Sequence, residues 1–279
     1  MTNASWSDLL LASASDEDGT WELFHENSKV QRHGHHVSNE QVARQMLRMA
    51  TSLRYDGHPL VRLPRDIGNL AMPLNEAIVN RVTPKQLEPV QLSLKTLGAI
   101  LFAGCGLTRS NETTGFLRPF RTAPSGGGLF PLELYVSTKH VAGLGAGLYH
   151  FDPNEHGLRC LRIGDYSHDL SESLVEFQAH LAFDSAAIVL MTAIFQRSTF
   201  KYGARGYRFV LIEVGHVAQN MNLAATALGL GCFNLGGFYD RAADRFLGID
   251  GLHQSTVYMM ALGERAAVYE TPQWPSDGR

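Results

Sequence analysis

Arg121-Thr122-Ala123-Pro124-Ser125-Gly126-Gly127-Gly128-Leu129-Phe130-Pro131 runs directly into Leu132-Glu133-Leu134-Tyr135-Val136, and this passage from a glycine loop into a strand decides how the chain is read. Glycine has no Cβ, so successive glycine N–H groups can lie directly against a flat or anionic ligand. Prolines at both ends limit how far the loop can wander. By composition alone the favoured reading is plainer, a flexible connection between a helix and an edge strand. The nucleotide loops do not fit: a P-loop needs Gly-Lys-Ser/Thr after its glycines, and the dinucleotide fingerprint needs a strand before them.

Outward from the loop the pattern alternates strands and helices. Leu132 to Ser137 reads as a strand, and Gly147–Pro153 with Leu158–Ile163 flank Asn154–Gly157 as a hairpin. Gly143 to Gly147 resembles a nucleotide loop, but no helix follows it, so it reads as a turn. Ala186 to Phe195 is a continuous apolar run of strand length, which predicts a central strand covered on both faces. After it come a long helix from about Phe209, a glycine-bounded strand Cys232–Gly237, a short helix from Asp240 and a last strand Thr256–Leu262. Leu92 to Gly104 has helical apolar spacing and ends in glycine. Together these predict an α+β domain with helices on a mixed sheet.

Residues 1 to about 60 are polar. Ser38 and Gln41 can open a short helix as a capping box. The run Arg32-His33-Gly34-His35-His36 has no Cys or acid at ligand spacing, so it reads as a solvated loop and no metal site is expected. Gly57 to Pro73 carries three prolines and reads as a linker wrapping over the next unit. With 279 residues, 18% charged and a net charge of −3, the chain has no electrostatic pull toward nucleic acid or an anionic membrane. Cys105, Cys160 and Cys232 are odd in number and widely spaced in apolar surroundings, which suits buried thiols in a reducing compartment. Met1 to Leu10 lacks the form of a secretory signal. Phe209 to Gly231 carries Glu213, His216, Gln219 and Asn220, which argues against a membrane span. A cytoplasmic protein is expected.

Two further segments carry chemistry. Lys201-Tyr202-Gly203-Ala204-Arg205-Gly206-Tyr207-Arg208 gathers three cations and two phenols beside a buried strand, where each charge needs a partner or a function. A lysine beside a tyrosine is a workable acid/base pair; the plainer alternative is a basic turn whose arginines pair with carboxylates such as Glu213. Glu213, His216 and Asn220 recur at helical spacing as a polar stripe, facing water, a subunit or a cofactor. Gly231 to Phe238 is a strand ending in paired glycines, whose amides can reach the edge of a planar ring. Two glycine platforms and a cationic acid/base segment fit a flat redox cofactor better than a hydrolase.

Pro124 to Tyr135, Gly147 to Pro153, Lys201-Tyr202 to Arg208, Glu213 to Asn220 and Gly236-Gly237-Phe238 together resemble the SagB-type dehydrogenases, FMN-dependent members of the nitroreductase superfamily. The similarity covers roughly 75 to 265, and Phe24 to Lys29 looks like the leader segment of that group. The resemblance implies an α+β nitroreductase-like fold, a central mixed or antiparallel sheet flanked by helices, and an intertwined homodimer with one FMN at each subunit interface. It divides the chain into an N-terminal extension and wrapping linker (1–74), an FMN-binding domain (75–265) and a tail (266–279). Some members oxidise peptide thiazolines and oxazolines to thiazoles and oxazoles, beside a cyclodehydratase or synthetase partner.

Carried onto this sequence, the resemblance makes Lys201 and Tyr202 the catalytic pair. Arg81 would hold FMN from the first core helix, and Pro124, Ser125, Gly126 and Gly128 would approach it from the partner subunit. Gly236 and Gly237 would present amides to the ring edge, with Asn220 and Arg265 completing the cofactor set. The family's core helix commonly begins Arg-Arg-Ser, whereas Asn80-Arg81-Val82 stands here, so one phosphate or ribityl contact must come from elsewhere; Arg197, Arg205 and Arg265 are the candidates. Two other functions are compatible with the same residues: an NAD(P)H-dependent nitro or quinone reductase, and an FMN-bound docking subunit using residues 1–60 as a partner-binding arm.

Overall fold

The computed structural model describes residues 19–32, 37–65, 70–111 and 118–265. Near the N-terminus lie α1 (Thr20–Asn27) and α2 (Asn39–Arg48). Ser38 opens α2 as expected: its hydroxyl accepts the Gln41 N–H at 3.2 Å, and Gln41 Oε1 accepts the Ser38 N–H at 3.0 Å. His33, His35 and His36 lie outside the described residues. The expected linker Gly57–Pro73 instead contributes β1 (Leu60–Arg62), which pairs with the outer strand of the hairpin. Pro59 and Pro64 flank that edge strand without entering it, so no ladder donor is lost.

The chain continues through α3 (Leu74–Asn80), the two-residue strands β2 (Leu87–Glu88) and β3 (Leu92–Ser93), and α4 (Leu94–Cys105). Ser93 caps α4 by accepting the Thr96 N–H at 3.0 Å, and Leu97, Ile100 and Leu101 bury its inner face. A small ribbon, β4 (Leu107–Arg109) with β5 (Phe120–Arg121), delivers the chain to the glycine loop and then to β6 (Leu132–Thr138), β7 (Val141–Ala142), β8 (Gly147–Asp152) and β9 (Gly157–Ile163). Two short helices, α5 (Ser167–Ser171) and α6 (Leu181–Asp184), lead into β10 (Ala187–Ile194). Then come α7 (Gln196–Tyr202), α8 (Arg205–Ala227), β11 (Gly231–Leu235), α9 (Asp240–Leu247) and β12 (Gln254–Arg265).

The main sheet runs β1-β9-β8-β6-β10-β12-β11, with β2 added on β12. Every pairing in it is antiparallel, so of the mixed and antiparallel sheets expected, the antiparallel one is present. The parallel pair β3–β7 stands apart as its own small sheet. The apolar run of β10 is central and fully covered, as its composition requires. Helices α4 and α8 pack together over one face, where Leu97, Ile100, Val210, Val217 and Met221 bury against Met191 and Met260. The other face is closed by the shorter helices through Leu170, Leu181 and Phe246 against Tyr135, Leu190 and Met259.

Lys201 to Arg208 is not a turn but the junction of two helices. Gly203 at φ 56° breaks α7 from α8, and the long helix therefore starts four residues before Phe209. Register places this junction beside the glycine loop, because Leu132, where the loop enters β6, pairs with Ala193 just before α7.

Candidate active site

The glycine loop is a tightly held turn rather than a flexible connector. Gly127 and Gly128 take φ of 69° and 64°, and Phe130 is held at φ 47°, a conformation L residues rarely adopt. Such strain persists only where neighbours impose it. Here Ser125 supplies two acceptors, its carbonyl for the Gly128 N–H at 3.0 Å and its hydroxyl oxygen for the Phe130 N–H at 2.9 Å. Arg118 donates to the Leu129 carbonyl at 3.0 Å, Arg197 to the Phe130 carbonyl at 3.3 Å, and the Arg121 guanidinium covers the Phe130 ring at 4.9 Å.

What the loop approaches is the Lys201–Tyr202 pair of the same chain. A Cβ on Gly127 would lie 2.6 Å from Tyr202 Oη and 2.9 Å from Lys201 Nζ, and one on Gly126 would press on the Phe209 ring at 3.3 Å. The two polar tips therefore converge on the loop's middle glycine. Tyr202 is fixed edge-on against Phe209 at 4.8 Å, with Lys201 Nζ 5.0 Å from its ring. Above them α2 forms a roof: Val42 and Met46 bury with Leu129, and Phe200 and Tyr202 pack on that cluster. Gly127, the residue in closest approach, was not among the sequence-derived contacts; its place between two glycines of the cofactor set was the available signal.

Two buried glutamates support this arrangement with opposite electrostatics. Glu133 accepts from Ser52 Oγ at 2.8 Å, the Leu53 N–H at 2.8 Å and Arg197 at 2.6 Å, and meets His150 Nε2 at 2.8 Å. Burial pushes its carboxyl up, but the His150 hydrogen bond and the Arg197 charge outweigh that and hold it at about 2. Arg197 is thereby committed to Glu133 and the Phe130 carbonyl, which removes it from the candidates for a phosphate. The same glutamate ties residues 52–53 to β6, and Arg121 holds the Thr51 carbonyl at 2.7 Å. The described part of residues 1–60 is thus stitched to the core, not a free arm. Glu213, on α8 beneath the loop, is 5% exposed, and burial pushes its carboxyl up to about 7 against the opposing pull of a Ser125 hydrogen bond and the Arg121 charge. Among the described residues it pairs with no arginine, so the basic-turn reading of Lys201–Arg208 does not hold; Arg208 donates instead to the His25 carbonyl.

The remaining expected site residues are not gathered in one place: Arg81 and Arg265 lie at the Gly231 end of β11, and Gly236 and Gly237 at its other end. Arg81 follows the last turn of α3, and Arg265, at the end of β12, donates to the Asn80 carbonyl at 3.5 Å and lies over Gly231. Burial pushes the Cys232 thiol up, with the Arg81 charge opposing. Gly236 and Gly237 are exposed beyond β11, beside Tyr258 and Val175 respectively. Asn220 is half-buried on α8, while His216 is exposed, so the predicted polar stripe of Glu213, His216 and Asn220 does not face one environment. The glycine loop meets α8 at Phe209 through Gly126, and β11 meets it at Asn222, which donates to Asn234 at 3.2 Å. Thirteen residues of helix put those anchors roughly 20 Å apart. Among the described residues no cluster of metal-ligating side chains is present, and no helix is long and apolar enough to cross a membrane.

This sequence and topology have counterparts. Residues 78–264 match the nitroreductase family model. The chain belongs to the nitroreductase family. MJ1384 of Methanocaldococcus jannaschii, named for the same family, is 35% identical over 176 residues, covering 63% of this chain and 84% of that protein. The trifolitoxin-processing protein TfxB of Rhizobium leguminosarum bv. trifolii is 31% identical over 200 residues, covering 70% of this chain; the chain spans about half, 52%, of TfxB. Among solved structures, a nitroreductase-fold protein of Anabaena variabilis superposes with a TM-score of 0.66 at 24% identity, over 88% of this chain and 47% of that one. A chain of the E. coli microcin synthetase McbBCD complex superposes with 0.57 at 19% identity, over 95% of this chain and 98% of that one. A nitroreductase-fold protein of Desulfovibrio desulfuricans, solved with FMN, gives 0.50 at 20% identity over 73% and 92%. Family membership places the chain among oxidoreductases, and its likeness to TfxB bears out the SagB-type resemblance within that family.

Proposed function

We propose that this nitroreductase-family member is an FMN-dependent dehydrogenase that oxidises thiazoline or oxazoline rings of a peptide to thiazoles or oxazoles. The observation that carries this reading is the convergence of Lys201 Nζ and Tyr202 Oη on Gly127 in the glycine loop. The residues suit the cofactor: a loop without side chains for a flat ring, exposed amides at Gly236–Gly237, and Arg81 with Arg265 for a phosphate. Pro124, Ser125, Gly126 and Gly128 would lend the loop to one side of the flavin, and Asn220 would join the other. On the family resemblance the loop and these residues come from different subunits of a homodimer. Leu211 and Ile212, exposed on α8, suit such a homodimer.

Bound FMN would supply the acceptor for two electrons. The chain's own task is to hold the ring still and take the acidic proton from its Cα, with Lys201 or Tyr202 as base and the other orienting it. The processing role in the name of TfxB, and the synthetase complex around the E. coli structural counterpart, support a peptide substrate and a synthetase partner. Incubating the FMN-loaded protein with a synthetic thiazoline peptide should lower its mass by two hydrogens. Lys201→Ala and Tyr202→Ala should retain FMN and lose that activity. Rapid flavin bleaching by NADPH with no change in any azoline peptide would instead establish a nitro or quinone reductase.

A further inference from the structure

The cleft that leads to Lys201 and Tyr202 is about 740 Å³, larger than a five-membered ring requires. One wall is Asn27 to Gln31 with Val37; the other is Thr199 to Arg205 with Phe209. The first wall is built in place, since Phe24 packs edge-on against Tyr207 at 5.3 Å and Arg208 holds the His25 carbonyl. Three cations line the cleft, Lys29, Lys201 and Arg205, and among the described residues no carboxylate does. Lys29 is answered by Glu26. Arg205 has no ion pair among the described residues, and its Nε is buried without a hydrogen-bond partner. The buried Nε fixes the side chain in place, and the rest of the half-buried guanidinium, without an ion pair, is left to take an incoming anion.

We propose that this cleft is the subsite for the peptide flanking the ring, and that Arg205 there takes the carboxylate of an acidic side chain adjacent to the azoline. The inference rests on the azoline-dehydrogenase reading above. Lys201 is left for the ring, because Arg205 lies one helical break further from the glycine loop. Arg208 is spent on α1, so the recognition falls on one residue. The apolar side chains Val30, Val37 and Phe200 accommodate the stem of the peptide.

The test uses the FMN-loaded full chain and three short peptides, each with one thiazoline followed by Asp, Asn or Lys, and blocked at both ends so that the side chain is the sole variable charge. The expected kcat/KM falls from Asp to Asn by about tenfold, carried by KM, and again to Lys. Arg205→Ala should bring the Asp-to-Asn ratio to about one, Arg205→Glu should invert it, and Arg205→Lys should keep part of it. Equal values for the three peptides, or an unchanged ratio in Arg205→Glu, overturn the proposal. Loss of FMN from Arg205→Ala also overturns it, by assigning the arginine to the cofactor phosphate. If none of the peptides loses two hydrogens, the dehydrogenase reading fails, and fluorescence anisotropy with labelled Asp and Asn peptides then judges the subsite separately: tighter binding of the Asp peptide sustains it, and equal binding ends it.

Discussion

The two glycine segments at this end of the sheet are glycine for different reasons. In the loop, Gly127 and Gly128 have positive φ and the chain's own Lys201 and Tyr202 come within 2.9 Å of where a Cβ would stand on Gly127. Around Gly236 and Gly237 the nearest atoms to an added Cβ lie at 3.6 and 3.5 Å, ordinary contact distances, and neither residue has positive φ. Internal packing therefore demands the first glycines and not the second. A requirement for the second pair has to come from something outside this chain. The difference extends to their foundations: the loop stands on buried charge, Glu133 with Arg197 and His150 and Glu213 under Ser125, whereas the paired glycines stand on exposed backbone.

The loop's foundation gives the largest expected effect. Glu133→Ala would leave Arg197 buried without its counter-charge and His150 without its hydrogen-bond partner, and release Ser52 and Leu53, at a cost of about 3–5 kcal/mol, read as a lower midpoint in urea melts. A loss below about 1 kcal/mol would mean the loop does not rest on this network. The two glutamates also differ in sign. Glu133 is held near 2, below its unfolded value of 4.5, so its stabilisation is present above pH 4.5 and is lost as pH falls toward 2. Glu213 is raised to about 7 from 4.5, so the folded state binds the proton more tightly, and stability falls as pH rises from about 4.5 to about 7. The fall amounts to about 3 kcal/mol, and Glu213→Gln should flatten it in urea melts between pH 5 and 8. An unchanged slope in that variant would remove Glu213 from the account.

Much of this half of the site was legible because its signals are local. Ser38 and Gln41 stand at capping-box spacing, and β10 is apolar at every position but Thr192, so chain chemistry alone placed both. The run Pro124 to Pro131 announced a backbone kept free of side chains, though not that its nearest neighbours would be Lys201 and Tyr202. That depends on Leu132 pairing with Ala193 across the sheet, a register no local pattern encodes. Gly203 was visible as a glycine within Lys201–Arg208, but the positive φ that turns a basic loop into two helix ends was not. Arg197 stood as a phosphate candidate because its partner, Glu133, is 64 residues away in sequence. The linker reading of Gly57–Pro73 gave prolines more weight than Leu60–Arg62, which gains its strand only by adding to an existing edge.

Substituting the glycines one at a time separates the internal requirement from the external one. Gly127→Ala meets only the flexible tips of Lys201 and Tyr202, so the fold should lose about 1–2 kcal/mol, chiefly from φ 69°. Displacing those tips by about 1 Å should lower azoline turnover roughly a hundredfold while FMN stays bound. Turnover within threefold of the parent would show that the convergence on Gly127 is incidental to catalysis.

Gly236→Ala is the smaller and sharper test, because the chain itself has room for the methyl. The expected result is an unchanged melting midpoint for the FMN-free protein and FMN affinity weakened by about tenfold, roughly 1.4 kcal/mol, measured by flavin fluorescence titration. Lower stability without FMN would mean that internal packing requires this glycine after all and would erase the contrast between the two segments. Unchanged stability together with unchanged affinity would leave the contrast standing but remove the flavin as its cause, and the site would then have to be rebuilt around the glycine loop and Lys201–Tyr202 alone.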